Sequence, residues 1–290
     1  MRGFAAAPIL VTGATGNTGG AVVRALQSRG LPVRVAGTSP ATLAAAFPGV
    51  DQVRLDFRDP ATFGPAARGC RALFLVRPPA ISRVAQTLNA MVDAARVEGV
   101  GEVVFLSVAG AGQNRLVPHH AVERHLMARP GGWTLLRPGF FAQNLGDAYR
   151  RDLLLEDRLY VPAGAGRAAF VDTRDVAEVA AAALAAPAAH AGRAYTLTGP
   201  VATSFAEAAA LLTAVLGRRI RYVAASLPGY LLHLRRRGLP LAQVAVQAIL
   251  HLGLRQGRAE AVDPTLSRLL GRPGRTLADY VRDHRALWQR

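Results

Sequence analysis

The sequence predicts an α/β fold, in which a doubly wound parallel sheet is accompanied by a smaller, mainly helical C-terminal lobe. Three observations lead to this prediction. Strand-like and helix-like patterns alternate along the first half of the chain at intervals of about 20 to 35 residues, as they do in βαβ units. The strand-like runs are apolar throughout, which is typical of strands covered on both faces. Beyond residue 204 the periodicity is mainly helical, and this predicts the lobe.

Local signals justify each element in turn. The first strand, residues 9–12, is a short apolar run, and the helix that follows it ends at Gly30. Ser39 and Pro40 are typical of the N-cap and first position of a helix after the second strand. Further strands are predicted at residues 32–36, 52–56, 72–76, 102–106, 133–136 and 194–197, and further helices at residues 82–98, 118–128 and 175–186.

A glycine-rich loop joins the first strand to the first helix. Gly13, Gly16 and Gly19 are spaced three apart, and glycine lets the backbone approach a ligand closely. The helix start then offers N–H groups and a positive dipole end to an anion. Three polar side chains of the same loop can add hydrogen bonds to phosphate: Thr15, Asn17 and Thr18. The alternative is a tight turn without a ligand, but the flanking strand and helix favour a Rossmann-type dinucleotide site.

The chain therefore divides by expected role. We expect residues 1–137 plus 168–199 to form the dinucleotide-binding domain. Residues 138–167 plus 200–290 are expected to form the smaller substrate-binding lobe. Since ligands bind at the carboxyl ends of the strands in open α/β sheets, we expect the lobe over that edge.

The end of the second strand bears on the choice of coenzyme. An acidic residue there would bind the ribose hydroxyls of NAD, but residues 35–39 contain none. Thr38 and Ser39 could donate hydrogen bonds to a 2′-phosphate, with Arg34 nearby. NADP(H) is therefore favoured and NAD(H) remains possible, because Ser39 is equally suited to capping the next helix.

The ends of the next three strands provide further candidate contacts. Asp56 could accept a hydrogen bond from the adenine amino group while Phe57 packs on the ring, or Asp56 could simply hold a turn. Residues 76–78 are expected to line the route to the ribose and nicotinamide: Val76, Arg77 and Pro78. Ser107 ends the fifth strand, where an active-site hydroxyl would be useful.

Composition limits the other classes of function. The formal charge is +16, and all 35 basic residues are arginines; residues 215–290 carry 14 of them against four acidic residues. We interpret this as a solvated arginine surface rather than a nucleic-acid site, because no aromatic residues interleave the arginines. Neither a zinc signature nor an apolar run suited to a membrane span is predicted.

The single cysteine, Cys70, excludes an internal disulfide and fits a reducing compartment. The N-terminal segment MRGFAAAPIL leads straight into the glycine loop, so we do not expect a signal peptide. A cytoplasmic monomer or homodimer without a membrane partner is expected.

Several segments together resemble the NmrA-like group of atypical short-chain dehydrogenases. They are GATGNTG, LDFRDP, FLVRPP, VVFLSVAGA, PHHAVERHL, LLRPGFFAQN and AFVDTRDVAEVAAAAL. The resemblance implies an NAD(P)H-dependent reductase that passes hydride to a quinone-like or other conjugated acceptor. It also leaves open a redox sensor that binds NADP(H) without turnover, or a reductase of a specialised metabolite.

One departure from the wider dehydrogenase pattern affects the mechanism. Short-chain dehydrogenases commonly use a Tyr-x-x-x-Lys pair, but this chain has no lysine. His120 and Arg124 have that spacing and face the same side of a predicted helix. Alcohol oxidation by the usual dyad is therefore not expected, whereas quinone reduction forms a stabilised phenolate that water or an imidazole can protonate.

His120 is the candidate proton donor, since imidazole titrates in the useful range. Alternatively, it binds the nicotinamide ribose, or it is a helix-start histidine paired with Glu123. Four residues after the sixth strand are expected to floor the substrate pocket: Phe140, Phe141, Gln143 and Asn144. Aromatic rings suit a flat acceptor, although the two phenylalanines would fit a hydrophobic core equally well.

Overall fold

The computed structural model describes residues 7–290, so the first six residues of the N-terminal segment lie outside the described residues. Two compact units are present. The first comprises the described part of Met1–Pro138 together with Thr173–Leu197, and the second comprises Gly139–Asp172 together with Thr198–Arg290. Residues 168–172 thus lie in the second unit. The assignment of the units to coenzyme and acceptor stays a prediction.

The strands of the described chain are β1 (Ile9–Thr12), β2 (Val33–Gly37), β3 (Asp51–Arg54), β4 (Ala72–Val76), β5 (Glu102–Leu106), β6 (Gly132–Pro138), β7 (Arg158–Val161), β8 (Arg167–Ala169), β9 (Arg193–Leu197), β10 (Ala202–Ser204) and β11 (Arg221–Ala224). The α-helices are α1 (Asn17–Gln27), α2 (Pro40–Ala46), α3 (Phe63–Ala67), α4 (Ala90–Val97), α5 (Pro118–Ala128), α6 (Arg150–Leu155), α7 (Thr173–Ala185), α8 (Pro187–His190), α9 (Phe205–Leu216), α10 (Leu227–Arg236), α11 (Leu241–Arg255), α12 (Thr265–Leu270) and α13 (Leu277–Asp283).

The first unit is built on a seven-stranded parallel sheet in the order β3-β2-β1-β4-β5-β6-β9. The strand order reverses between β1 and β4, where Leu10 is in register with Leu73. In open α/β sheets ligands bind outside the carboxyl ends of the strands at such a switch point. The doubly wound sheet predicted from the sequence is therefore confirmed.

Helices cover both faces of this sheet. Alternate residues of the central strands, such as Leu73 and Leu75, are buried in one cluster with Met91 of α4 and Val122 of α5. Helices α1 and α7 pack against each other, and α7 also contacts β4, β5 and β6. The continuous apolar character of the strands is thus explained by burial on both faces.

The second unit contains more strand than the sequence indicated. Its helices are accompanied by an antiparallel pair, β8 with β10, and a parallel pair, β7 with β11. These strands are only three or four residues long, which is too short for an alternation pattern to stand out. Their apolar side chains join a core that includes Phe170, Phe205 and Trp288.

Several predicted boundaries differ from the structure by one residue or more, among them those of α4 and β3. The helix predicted at residues 82–98 begins as a π-helical segment at Ala85–Asn89, and only Ala90–Val97 is α-helical. The third strand ends at Arg54, so Asp56 lies in a turn rather than on the strand. Within residues 7–290, no helix is both long enough and apolar enough to span a membrane.

Candidate functional site

The glycine loop at the end of β1 has a backbone path that only glycine permits at two positions. Gly13 has a φ of +63°, in the left-handed region. A Cβ atom at Gly19 would collide with the carbonyl oxygen of Gly13, so the loop and the first turn of α1 are in direct contact. The amide of Gly16 donates to that same carbonyl over 3.0 Å and closes the turn.

Helix α1 begins immediately after this turn. Gly16 is its N-cap and has no side chain with which to cap the helix. Thr15, Gly16 and Asn17 are exposed, whereas Thr18 and Gly19 are buried. The loop therefore forms a narrow backbone cradle at the positive end of a helix dipole, an arrangement that suits a diphosphate.

Thr12 fixes the cradle to the neighbouring strand. Its hydroxyl donates to the carbonyl of Phe74 over 3.1 Å and accepts from the amide of Val76 over 2.9 Å. A Cβ atom on Gly13 would lie 3.4 Å from the Cβ of Val76. Thr12 is a further residue of the site beyond those predicted, and its place directly before the first glycine, on a buried strand, is the signal in the sequence.

The segment after β2 contains both exposed hydroxyl candidates. Ser39 caps α2: its hydroxyl accepts from the amide of Thr42 over 3.3 Å and from the Thr42 hydroxyl over 2.9 Å. Thr38 is exposed beside it. Arg34 is directed elsewhere, because its guanidinium donates to Asp51 and to the carbonyl of Arg68, both over 2.7 Å.

Asp56 and Phe57 both make contacts within the first unit. A carboxylate oxygen of Asp56 accepts from the amide of Arg58 over 2.9 Å, so this side chain organises the turn after β3. Phe57 is buried, with its ring centroid 6.4 Å from that of Phe63. Most of the Phe57 ring is therefore unavailable for packing on adenine, because the ring completes the core.

Arg77 braces the loop that follows β4. Its guanidinium donates to the carbonyl of Ile81 over 2.5 Å, to that of Pro78 over 3.2 Å and to Nε2 of His119 over 3.3 Å. Val76 and Pro78 are half-buried on either side of it. Burial, together with the positive charge of Arg77, lowers the pKa of His119 to about 4. His119 is therefore a neutral acceptor at pH 7, a role that was not foreseen.

A buried carboxylate lies behind the carboxyl ends of β5 and β6. Glu123 of α5 accepts a hydrogen bond from the Ser107 hydroxyl over 2.6 Å. The guanidinium of Arg137 donates two more hydrogen bonds to the same carboxylate, over 2.9 and 2.7 Å. Ser107 and Glu123 are both buried. Hydrogen bonding to Glu123 raises the pKa of Arg137. The Ser107 hydroxyl thus donates to Glu123, and its role toward a ligand stays a prediction.

His120 is half-buried in the first turn of α5. Its Nδ1 lies 2.8 Å from the carbonyl oxygen of Ala111, which assigns the proton to Nδ1 and leaves Nε2 for a ligand. The suggested pairing of His120 with Glu123 is wrong, since Glu123 is engaged by Ser107 and Arg137. Arg124 is exposed one turn further along the helix.

The four candidate substrate residues fall into two kinds. Phe140 packs edge to face against Phe170, with centroids 5.4 Å apart, as a core residue would. Gln143 is buried and donates to Asp172 over 3.0 Å. Phe141 and Asn144 are half-buried. Phe140, which is itself half-buried, and Gln143 therefore contribute to the packing of the second unit, and a role of any of the four toward a substrate stays a prediction.

A doubly wound parallel sheet with a glycine cradle at its switch point defines the dinucleotide-binding class of α/β proteins. Comparison with known sequences shows which family within that class the chain belongs to. The sequence model of the NmrA-like family matches residues 6–269, and the chain belongs to that family.

Three similar proteins were found over almost the whole chain. The NAD(P)H azoreductase of Xenophilus azovorans is 34% identical over 283 residues, covering 96% of this chain and 98% of its own. The NADPH complex of quinone oxidoreductase QOR2 from Escherichia coli superposes with a TM-score of 0.83 and 28% identity, covering 95% and 99% of the two chains. The negative transcriptional regulator NmrA in complex with NAD, at 15% identity and a TM-score of 0.73 over 96% and 95%, shares the fold.

Proposed function

We propose that this protein is an NAD(P)H-dependent reductase that delivers hydride to a small conjugated acceptor of the quinone or azo type. The observation that carries the proposal is the cradle at the end of β1. Gly13 adopts the left-handed conformation, the approach of Gly19 leaves no room for a side chain, and α1 starts without a side-chain cap. A dinucleotide diphosphate fits this donor set.

NADP(H) is the coenzyme that the local chemistry favours. Within residues 35–39 there is no carboxylate to repel a 2′-phosphate, and Thr38 offers an exposed hydroxyl. The Ser39 side chain already caps α2. Its contribution to binding a 2′-phosphate is therefore mainly indirect, because the cap holds the first amides of α2 in position. Arg34 does not contribute, because its guanidinium is bound to Asp51.

A bound reduced nicotinamide would supply the hydride, and the protein's part is to orient reactants and manage the proton. Nε2 of His120 is the ring atom available to a ligand, since Nδ1 donates to the carbonyl of Ala111. It can deliver a proton only when both ring nitrogens are protonated, and in the neutral ring it would accept from a ribose hydroxyl. The Glu123–Arg137 pair keeps α5 against β6 and so fixes the position of His120. Arg77 and His119 hold the loop after β4 in a defined conformation.

A conjugated acceptor tolerates the loss of the usual Tyr-x-x-x-Lys pair better than an alcohol does. The chain has no lysine to lower the pKa of a tyrosine on α5, and α5 carries no tyrosine. A quinone needs less help, because the oxygen that accepts the electron pair becomes a stabilised phenolate. The names of the azoreductase and of the E. coli quinone oxidoreductase support the same substrate class. We propose Phe141 and Asn144 as acceptor contacts and a cytoplasmic monomer or homodimer as the active form.

Coenzyme titration of Gly19→Ala tests the cradle. The added Cβ would collide with the carbonyl of Gly13, so the loop must move. Because this movement takes the aligned N–H donors away from the diphosphate, we expect NADPH affinity to fall by about 100-fold. Gly253→Ala is the matched control, because Gly253 also lies within a helix and has no positive φ, while a Cβ added there would come no closer than 3.8 Å to the Arg258 side chain. Unchanged NADPH affinity in Gly19→Ala would refute the cradle assignment.

A further inference from the structure

Helix α11 is unusual in being apolar on both faces while lying at the surface of the second unit. Val244, Ala248 and Leu254 are buried against the unit. The opposite side carries exposed apolar side chains: Leu241 is 70% exposed, Val246 56%, Ile249 68% and Leu250 48%. At about 100° per residue these four side chains spread over about half of the helix circumference, on the side away from the buried residues. Such a patch marks an interaction surface more often than an ordinary solvated face.

Cations lie at both ends of this face. Helices α10 and α11 pack together, and a short connection places the exposed Arg235 and Arg236 near the start of α11. Arg255 and Arg258 are exposed at its other end. The whole segment from residue 227 to residue 258 contains five arginines and no acidic residue. Leu232 of α10 is a further exposed apolar residue of the same hairpin.

We propose that the α10–α11 hairpin docks on an anionic lipid bilayer surface, with α11 lying in the plane of the headgroups. An apolar face about 14 Å long that is flanked by cations matches the chemistry of interfacial helices, in which apolar side chains enter the acyl boundary and arginines meet lipid phosphates. The site takes phospholipid headgroups of net negative charge. This proposal differs from the sequence-based prediction that the protein has no membrane partner, because that prediction rested only on the absence of a membrane-spanning segment.

The charge pattern argues against two other partners for this face, namely a second copy of this chain and a nucleic acid. In a symmetric pair of copies, the same patch would meet itself and bring the arginines of both chains together without an acidic partner in residues 227–258. A nucleic acid would find aliphatic side chains in place of the aromatic stacking surface that single strands use. A bilayer complements both the apolar face and its cationic ends.

Vesicle co-sedimentation of the full chain provides the test. We expect binding to vesicles of phosphatidylcholine mixed with phosphatidylglycerol, weakened by salt, and little binding to phosphatidylcholine alone. The double variant Val246→Gln/Ile249→Gln should lower the partition coefficient by about ten-fold or more, because both side chains lose their apolar contact with the acyl region. Leu155→Gln, at an exposed leucine of the same unit outside the hairpin, is the matched control and should bind as the parent does.

Charge variants complete the test. Arg255→Gln/Arg258→Gln should reduce binding to the anionic vesicles, and Arg29→Gln/Arg83→Gln, which remove the same charge from exposed positions of the first unit, should not. Equal binding by the parent and Val246→Gln/Ile249→Gln would overturn the proposal. So would sedimentation velocity showing a dimer that this double variant dissociates, since the face would then be an interface between copies.

Discussion

The hydroxyl of Ser107 donates a 2.6 Å hydrogen bond to the buried carboxylate of Glu123, whose other contacts are two hydrogen bonds from Arg137. Three elements meet in this contact: the carboxyl end of β5, the middle of α5 and the carboxyl end of β6. The triad therefore ties the helix that carries His120 to the edge of the sheet where the coenzyme is proposed to bind.

Removing the carboxylate should destabilise the protein strongly. Glu123→Ala leaves the Arg137 guanidinium without its partner in a mostly buried setting, and we expect a loss of about 3 kcal/mol in the free energy of unfolding. Glu98→Ala, which breaks the exposed pair with Arg68, should cost less than about 1 kcal/mol. Urea denaturation of both variants measures the difference, and equal losses would contradict a structural role for the triad.

Acid should destabilise the protein through His251 in the second unit. Its Nε2 accepts from the Tyr149 hydroxyl and its Nδ1 donates to the carbonyl of Gln247, both over 2.6 Å. Burial lowers the pKa of His251 to about 4. Between its ordinary pKa near 6.5 and pH 4 the unfolded chain takes up a proton that the folded chain does not, so this stability is present above pH 6.5 and is lost as the pH falls.

Urea denaturation of the parent and of His251→Asn at several pH values between 7 and 4 checks this assignment. The variant is expected to be less stable at neutral pH, because it loses the Tyr149 hydrogen bond, but its stability should fall less steeply on acidification. Parallel pH curves for the two proteins would show that His251 is not the group responsible.

Coenzyme preference should shift toward NADH when a carboxylate is placed after β2. In Thr38→Glu the new charge repels a 2′-phosphate and can accept from ribose hydroxyls, so we expect the ratio of NADPH to NADH affinity to fall by about ten-fold or more. Ser28→Glu adds the same charge at an exposed site after α1 and should leave the ratio unchanged. If Thr38→Glu also leaves it unchanged, Thr38 does not face the 2′-position.

His120→Ala should lower turnover if Nε2 delivers the proton. We expect kcat to fall by about 100-fold, the lower part of the range for a general acid, with little change in NADPH affinity. A loss confined to NADPH affinity would instead indicate a ribose contact. His125→Ala, on the same helix but bonded to Asp93, is the control. Unchanged kinetics in His120→Ala would make this residue a bystander.

The sheet was predictable because its signals are local. The apolar runs of β1, β4 and β5 are buried on both faces, and the glycines of the cradle stand where the backbone requires them. The short strands β7 and β8 were missed, since three or four residues carry no clear period. Their pairing partners come from distant parts of the chain.

The site was predictable in its backbone but not in its side-chain partners. Nothing near Glu123 in the sequence indicates that Arg137, fourteen residues later, would neutralise it. Phe57 follows a predicted strand end, yet its ring is used by the core because β3 stops earlier. The exposure of one face of α11 could not be predicted either, since an apolar helix that is buried on all sides would have the same sequence pattern.

Steady-state oxidation of NADPH by a simple benzoquinone tests the central claim most directly. The purified protein should consume NADPH in proportion to the quinone reduced, and Gly19→Ala should lose this activity at NADPH concentrations that saturate the parent. Tight NADPH binding without turnover against a panel of quinones and azo dyes would contradict the account and would favour a sensor that binds the coenzyme without using it.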